Sequence, residues 1–92
     1  MVSQAVKVIN KEGFHMRPAN YFIKEMSEFQ STVTLVFNGK PVNGKSIMNI
    51  MAACIKFGAE LEIQCEGPDE EAALAKAVEL VESGLEIGRA HV

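Results

Sequence analysis

The chain contains no tryptophan, one tyrosine, two cysteines and three prolines in 92 residues. Each shortage closes off a class of protein. A small α+β domain that binds RNA presents a basic sheet with stacking aromatics. Here tryptophan is absent and the water-facing side of the clearest strand, Glu60 to Glu66, is acidic. Cys54 and Cys65 follow no secretory leader and have no second Cys or His at metal-ligand spacing, so they form no disulfide framework and read as small buried hydrophobes. No metal and no cofactor is expected. The longest apolar run, Ile50 to Ile55, is six residues, whereas a membrane span needs roughly 20. The start, Met1 to Lys7, lacks the basic region and apolar core of a signal peptide. These absences lead to the expectation of a soluble, cytoplasmic protein without membrane insertion.

What is present belongs to a folded chain. Hydrophobic residues make up 48%, charged residues 23%, and mean hydropathy is +0.08, which excludes a disordered tail. A mass of 10.0 kDa supplies one core and one site. No repeat and no Pro/Ser/Gly linker divides it. The net charge of −3 argues against direct binding to nucleic acid. That sum hides an asymmetry: residues 1–58 carry seven basic side chains against three acidic, and residues 59–92 carry two against nine. A site for phosphate or for an acidic partner therefore belongs in the first part.

The periodicities predict seven elements. Val2 to Ile9 is β-branched and reads as a strand, and Asn10 to Gly13 as a loop. Ala19, Phe22, Ile23 and Met26 fall at helical spacing behind Pro18, which suits a first turn, so a helix runs from about residue 17 to 28. Val33, Leu35 and Phe37 alternate with Thr32, Thr34 and, less cleanly, Val36 in a strand from Ser31 to Asn38. Asn38-Gly39 is a strong hairpin turn, and Lys40 to Asn43 returns at a sheet edge, where Pro41 is tolerated. Ser46 is a good N-cap for a helix from Ile47 to Ala53 or Cys54. Leu61, Ile63 and Cys65 alternate with charged or polar residues through Glu60 to Glu66, so one side of the sheet meets water. After Gly67-Pro68, a stripe of Leu74, Ala77, Val78 and Val81 predicts a helix over 69–83 that stops near Gly84. The order β-α-β-β-α-β-α makes an α+β open-faced β-sandwich: a four-stranded, mostly antiparallel sheet with three helices on one face.

Function must come from a site rather than from this common architecture. His15 lies between a loop closed by Gly13 and a helix opening near Arg17-Pro18. The first amides of a helix lack partners within it and attract phosphate. Arg17 adds a planar fork of donors for phosphate oxygens. A neutral imidazole is a competent nucleophile, so the group has the parts to form a phosphohistidine. The remaining catalytic apparatus must come from partner proteins, since His91 is far off and no carboxylate pair suggests a triad. On the second helix, Ile50 and Ala53 or Cys54 face the core. Ile47, Met48 and Met51 are then an exposed, adaptable docking patch. Phosphate on Ser46 would add about −1.5 to −2 charge at a helix N-terminus, which the fold tolerates but an acidic partner does not.

Gly13-Phe14-His15-Met16-Arg17-Pro18-Ala19 closely resembles the phosphohistidine motif of the HPr family, phosphocarriers of the bacterial phosphoenolpyruvate-dependent sugar phosphotransferase system. Asn38 to Met48 resembles that family's regulatory-serine segment in its low-GC Gram-positive form. The resemblance covers residues 1–86 as a single domain and leaves 87–92 as a tail without an assigned role. It implies that His15 accepts a phosphoryl group from enzyme I and passes it to enzyme II A domains while Arg17 holds the oxygens. It also implies that Ser46 is modified by HPr kinase/phosphorylase and that the modified form binds a catabolite control protein. Asn20, Lys24 and Lys45 join Ile47, Met48 and Met51 as partner contacts, and a freely diffusing carrier suits a monomer. Met16 stands where the family usually has Ala or Thr, and Ser27 where many relatives carry Lys. A regulatory binding module of the same fold, without a transport role, is the alternative, and the retained His15 is what separates the two.

Overall fold

The alternation in Glu60 to Glu66 gives this strand one buried and one wet face. In the computed structural model, which describes residues 1–85, the elements are β1 (Val2–Lys7), α1 (Met16–Met26), β2 (Thr32–Phe37), β3 (Lys40–Asn43), α2 (Ile47–Ala53), β4 (Glu60–Glu66) and α3 (Glu70–Glu82). The sheet order is β1-β4-β2-β3, and each neighbouring pair is antiparallel. Register stacks Ile63, Leu35 and Val42 in one buried row across three strands. The opposite faces of these strands carry Glu60, Glu62, Glu66 and Thr32 into solvent. β3 is one of the two edge strands and tolerates Pro41, as its composition predicts.

Helix packing completes the open-faced sandwich. α3 lies on β1 and β4, α2 meets β3, and α1 touches both other helices. The core gathers Val6, Val8, Phe22, Met26, Leu35, Ile50, Ile63 and Val81, all essentially solvent-free. The expected domain end at residue 86 and the tail 87–92 lie outside the described residues.

Several boundaries differ from the sequence reading, each for a local reason. β1 closes at Lys7 rather than Ile9. Val8 still pairs, but with the irregular segment of Gly58 and Ala59, at 2.8 and 2.9 Å. α1 ends at Met26 rather than 28, because both the amide and the hydroxyl of Ser27 donate to the Ile23 carbonyl and close the last turn. The buried stripe of α3 is Ala73, Ala77, Leu80 and Val81, while Leu74 and Val78 sit at its margin. This is the face that packs on β1 and β4, and the helix closes in a Schellman ending: Leu85 N–H donates to the Leu80 carbonyl at 2.9 Å and Gly84 N–H to Val81 at 3.1 Å. Gly84 takes the left-handed conformation, and Leu85 and Leu80 are both buried. Cys65 is buried as expected, but Cys54 is exposed. It occupies the C-cap of α2 with φ 55°, and that backbone turns its side chain off the helix end.

Candidate functional site

The presentation of His15 begins one residue earlier. Phe14 is buried and meets Phe22 edge-to-face, with ring centroids 5.5 Å apart. Its amide donates to the Ile55 carbonyl at 2.9 Å. Before it, Asn10 and Gly13 close a turn with two bonds, Gly13 N–H to the Asn10 carbonyl at 3.0 Å and Asn10 Nδ2 to the Gly13 carbonyl at 2.7 Å. With Phe14 anchored inward and Pro18 and Ala19 buried behind, the intervening His15, Met16 and Arg17 are forced outward, and all three are exposed.

His15 is the N-cap of α1, with extended backbone at φ −71° and ψ 178°. Its carbonyl accepts the first helical bond, from Ala19 at 2.8 Å. Its imidazole makes no capping hydrogen bond. The ring is therefore not consumed by the helix it precedes, and the amides of Met16 and Arg17 have no acceptor inside the helix. Pro18 contributes no N–H at all. No acidic residue sits in this first turn, so nothing there neutralises the positive end of the helix before an anion arrives. Beside Arg17 and Pro18 opens a cleft of about 580 Å³ whose wall includes Asn10, Lys11, Glu12 and Leu85. Among the described residues no three His, Cys, Asp or Glu side chains converge on a metal position, and no helix is long and apolar enough to cross a membrane.

Arg17, Asn20 and Lys24 lie three and four residues apart, so they share one exposed face of α1. The second group sits on the adjacent helix. Ser46 caps α2, its hydroxyl oxygen accepting from Asn49 N–H at 3.3 Å. The expected patch is graded: Met48 is 79% exposed, whereas Ile47 and Met51 are half-buried and pack partly on the core. Lys45 is not a free cation, since its Nζ donates to the Phe29 carbonyl at 2.7 Å. Its charge is fixed across the gap between α1 and the Ser46 turn. The sequence reading missed the exposure of Met16, 60%, and of Phe57, 62%. It also missed that Ile55 carries the histidine loop, because a backbone carbonyl leaves no trace in side-chain pattern.

Residues 2–83 match the family described as PTS HPr component phosphorylation site. The chain belongs to the HPr family. Phosphocarrier protein HPr of Treponema pallidum (strain Nichols) is 43% identical over 86 residues, covering 94% of this chain and 98% of its own length. The crystal structure of HPr-C-His from Thermoanaerobacter tengcongensis superposes with a TM-score of 0.89 at 38% identity, covering 92% of this chain and 96% of that one. The catabolite repression protein Crh of Bacillus subtilis, solved as a swapped, intertwined dimer, gives a TM-score of 0.74 at 40% identity, with coverage of 91% and 97%. Members of the HPr family are phosphocarriers of the phosphotransferase system rather than catalysts in their own right, and the similarity extends to the branch tied to catabolite repression.

Proposed function

We propose that His15 is the phosphoryl-carrying residue of this HPr-family chain, receiving the group from phosphorylated enzyme I and yielding it to the A domain of a sugar-specific enzyme II. The observation that supports this most directly is the free imidazole at the N-cap of α1, exposed, unused in capping and followed by two unpartnered amides and Arg17. A phosphoryl group on a ring nitrogen there meets the positive end of a helix and a guanidinium fork. Arg17 holds the oxygens; Asn20 and Lys24 continue the polar face, and Met48 with Ile47 and Met51 forms the apolar contact. Lys45 lends a fixed positive charge at the edge. Ser46 is the regulatory site, modified with ATP by HPr kinase/phosphorylase, and its modified form recruits the catabolite control protein. The carrier acts as a monomer.

The experiment is phosphoryl transfer from phosphoenolpyruvate in the presence of enzyme I. One acid-labile group per chain is expected, and His15→Ala abolishes it. Label that survives in His15→Ala places the carrier residue elsewhere. The relation to Crh supports a second reading, a regulatory module acting only through Ser46 and α2. Failure of a cognate enzyme I to label the chain, with Ser46 still modified, selects that reading.

A further inference from the structure

The hydroxyl oxygen of Ser46 receives two hydrogen bonds from a single residue. Asn49 N–H donates to it at 3.3 Å, and the side-chain Nδ2 of Asn49 donates to it at 2.8 Å. A serine hydroxyl offers two acceptor lone pairs and one O–H, so both lone pairs are occupied. The more familiar third-position partner of an N-cap serine is Glu or Gln, which reaches back to the cap's own amide. Here that amide already donates to the Asn43 carbonyl at 3.2 Å. The turn is closed further by Lys45 N–H on Asn43 Oδ1 at 2.9 Å. The Asn49 side chain is thus directed to the hydroxyl instead, beside its own backbone N–H.

We propose that Asn49 is a clamp that keeps the Ser46 hydroxyl from acting as a nucleophile and so sets how fast Ser46 is phosphorylated. The inference rests on reading Ser46 as a modification site, and it makes Asn49 a positioning residue. In the transfer, Ser46 Oγ forms a bond to the γ-phosphorus of ATP. The bond from that phosphorus to the β,γ-bridging oxygen breaks, ADP leaves, and the hydroxyl proton passes to a base on the kinase. The attacking electron pair is one that Asn49 occupies, and the Nδ2 bond must open first. Once the ester has formed, three unsubstituted phosphate oxygens stand within reach of the same amide, so the clamp delays entry of the group without opposing the product.

The test compares wild type, Asn49→Ala and Asn49→Leu as substrates for ATP and an HPr kinase/phosphorylase that labels a known HPr, with Ser46→Ala as blank. Leu keeps the branched shape of Asn at Cγ, slightly enlarged, without its donors, and Ala removes the bulk as well, so the pair separates hydrogen bonding from steric access. Both variants are expected to show a roughly threefold to tenfold higher kcat with an unchanged KM, as loss of one exposed hydrogen bond implies. Thermal midpoints stay within a few degrees, because Ala and Leu are better helix formers than Asn. An unchanged or lower kcat in either variant, with wild type labelled, overturns the clamp. So do Asn49 side-chain amide resonances that are identical in wild type and Ser46→Ala. Absence of label on wild type, while the known HPr is labelled in the same mixture, removes the Ser46 reading itself and the clamp with it.

Discussion

A single methyl group tests how firmly His15 is aimed. Gly13 has φ +64°, and a Cβ there would lie 2.6 Å from the Ile55 carbonyl oxygen and 2.7 Å from Lys56 Cα. Both obstacles are backbone, so neither can swing aside. The left-handed conformation costs an Ala about 1–2 kcal/mol before any clash is counted. Gly13→Ala is therefore expected to lower stability by about 2–3 kcal/mol, and to slow His15 labelling by enzyme I, because the Phe14 amide loses its register on Ile55. Urea unfolding and the labelling rate are the two measurements. A normal rate in the destabilised variant would show that the histidine is aimed by α1 alone. Neighbours divide the work at this scale: Phe14 is the buried anchor, and in the proposed carrier role His15 is the nucleophile and Arg17 the charge.

At the scale of one element, α2 shows what a short helix can and cannot hide. It spans seven residues and buries one of them, Ile50. The rest of its apolar surface lies partly or wholly in water, with Met48 at 79% exposure the extreme. Met48→Asp places a carboxylate in a helix's first turn, where the dipole favours it, and removes nothing from the core. Stability is expected to change by less than about 0.5 kcal/mol, while enzyme I affinity falls about tenfold, the size of a modest hot spot. Isothermal calorimetry with enzyme I reads the second effect, and a large loss of stability would mark Met48 as a core residue. The other end of α2 carries strain. Cys54 holds φ 55° with its amide on the Met51 carbonyl at 3.3 Å, a position that glycine occupies more cheaply. Cys54→Gly is expected to stabilise the protein by up to about 1 kcal/mol, the left-handed penalty less glycine's greater loss of chain entropy. Thermal melts of the two forms decide it. Met16 on the neighbouring α1 is exposed as well, and thioethers adapt to differently shaped partners.

Across the whole molecule, the polar tie between the start of β2 and the start of α3 sets the response to acid. Asp69 accepts from the amides of Gln30 and Ser31, each at 2.9 Å, and from the Ser31 hydroxyl. Its carboxyl is therefore held below the usual carboxylate range, chiefly by the Ser31 hydroxyl and then by the Gln30 amide. Glu70 is lowered as well, mainly by the Gly67 amide at 3.1 Å, with the N-terminal amine contributing from 3.4 Å. A group whose folded pKa lies below its unfolded value adds stability above the unfolded pKa, and that stability drains away as pH falls through the folded one. The thermal midpoint is thus expected to hold near neutral pH and to drop below about pH 4. Asp69→Asn melts lower at pH 7 and shows a shallower acid decline, and scanning calorimetry across pH reads both. An unaltered acid slope in Asp69→Asn would assign the sensitivity to other carboxylates. The molecule is also polar on a larger scale. Arg17 and Lys24 stand on α1, while Glu60, Glu62 and Glu66 line the open sheet face and Glu71, Glu79 and Glu82 the exposed side of α3. This separation leaves the histidine end the attractive one for acidic partners and phosphate.

Periodicity alone determined most of the architecture. Strict alternation in Glu60 to Glu66, the Asn38-Gly39 turn and the Ser46 cap each depend on forces between residues close in sequence, so the element order could be read without coordinates. The motif from Gly13 to Ala19 likewise marked His15 and Arg17, since a loop-to-helix junction is local. The tertiary structure alone decided matters that depend on contacts between distant segments. Ile55 carries the Phe14 amide, and Asp69 leaves its helix uncapped in order to bind Ser31. Lys45 spends its ammonium on Phe29, and α3 turns Leu80 rather than Leu74 inward against β1 and β4. Each of these is settled by where a backbone carbonyl, a carboxylate or a buried leucine lies after folding, and sequence spacing carries no information about such long-range neighbours.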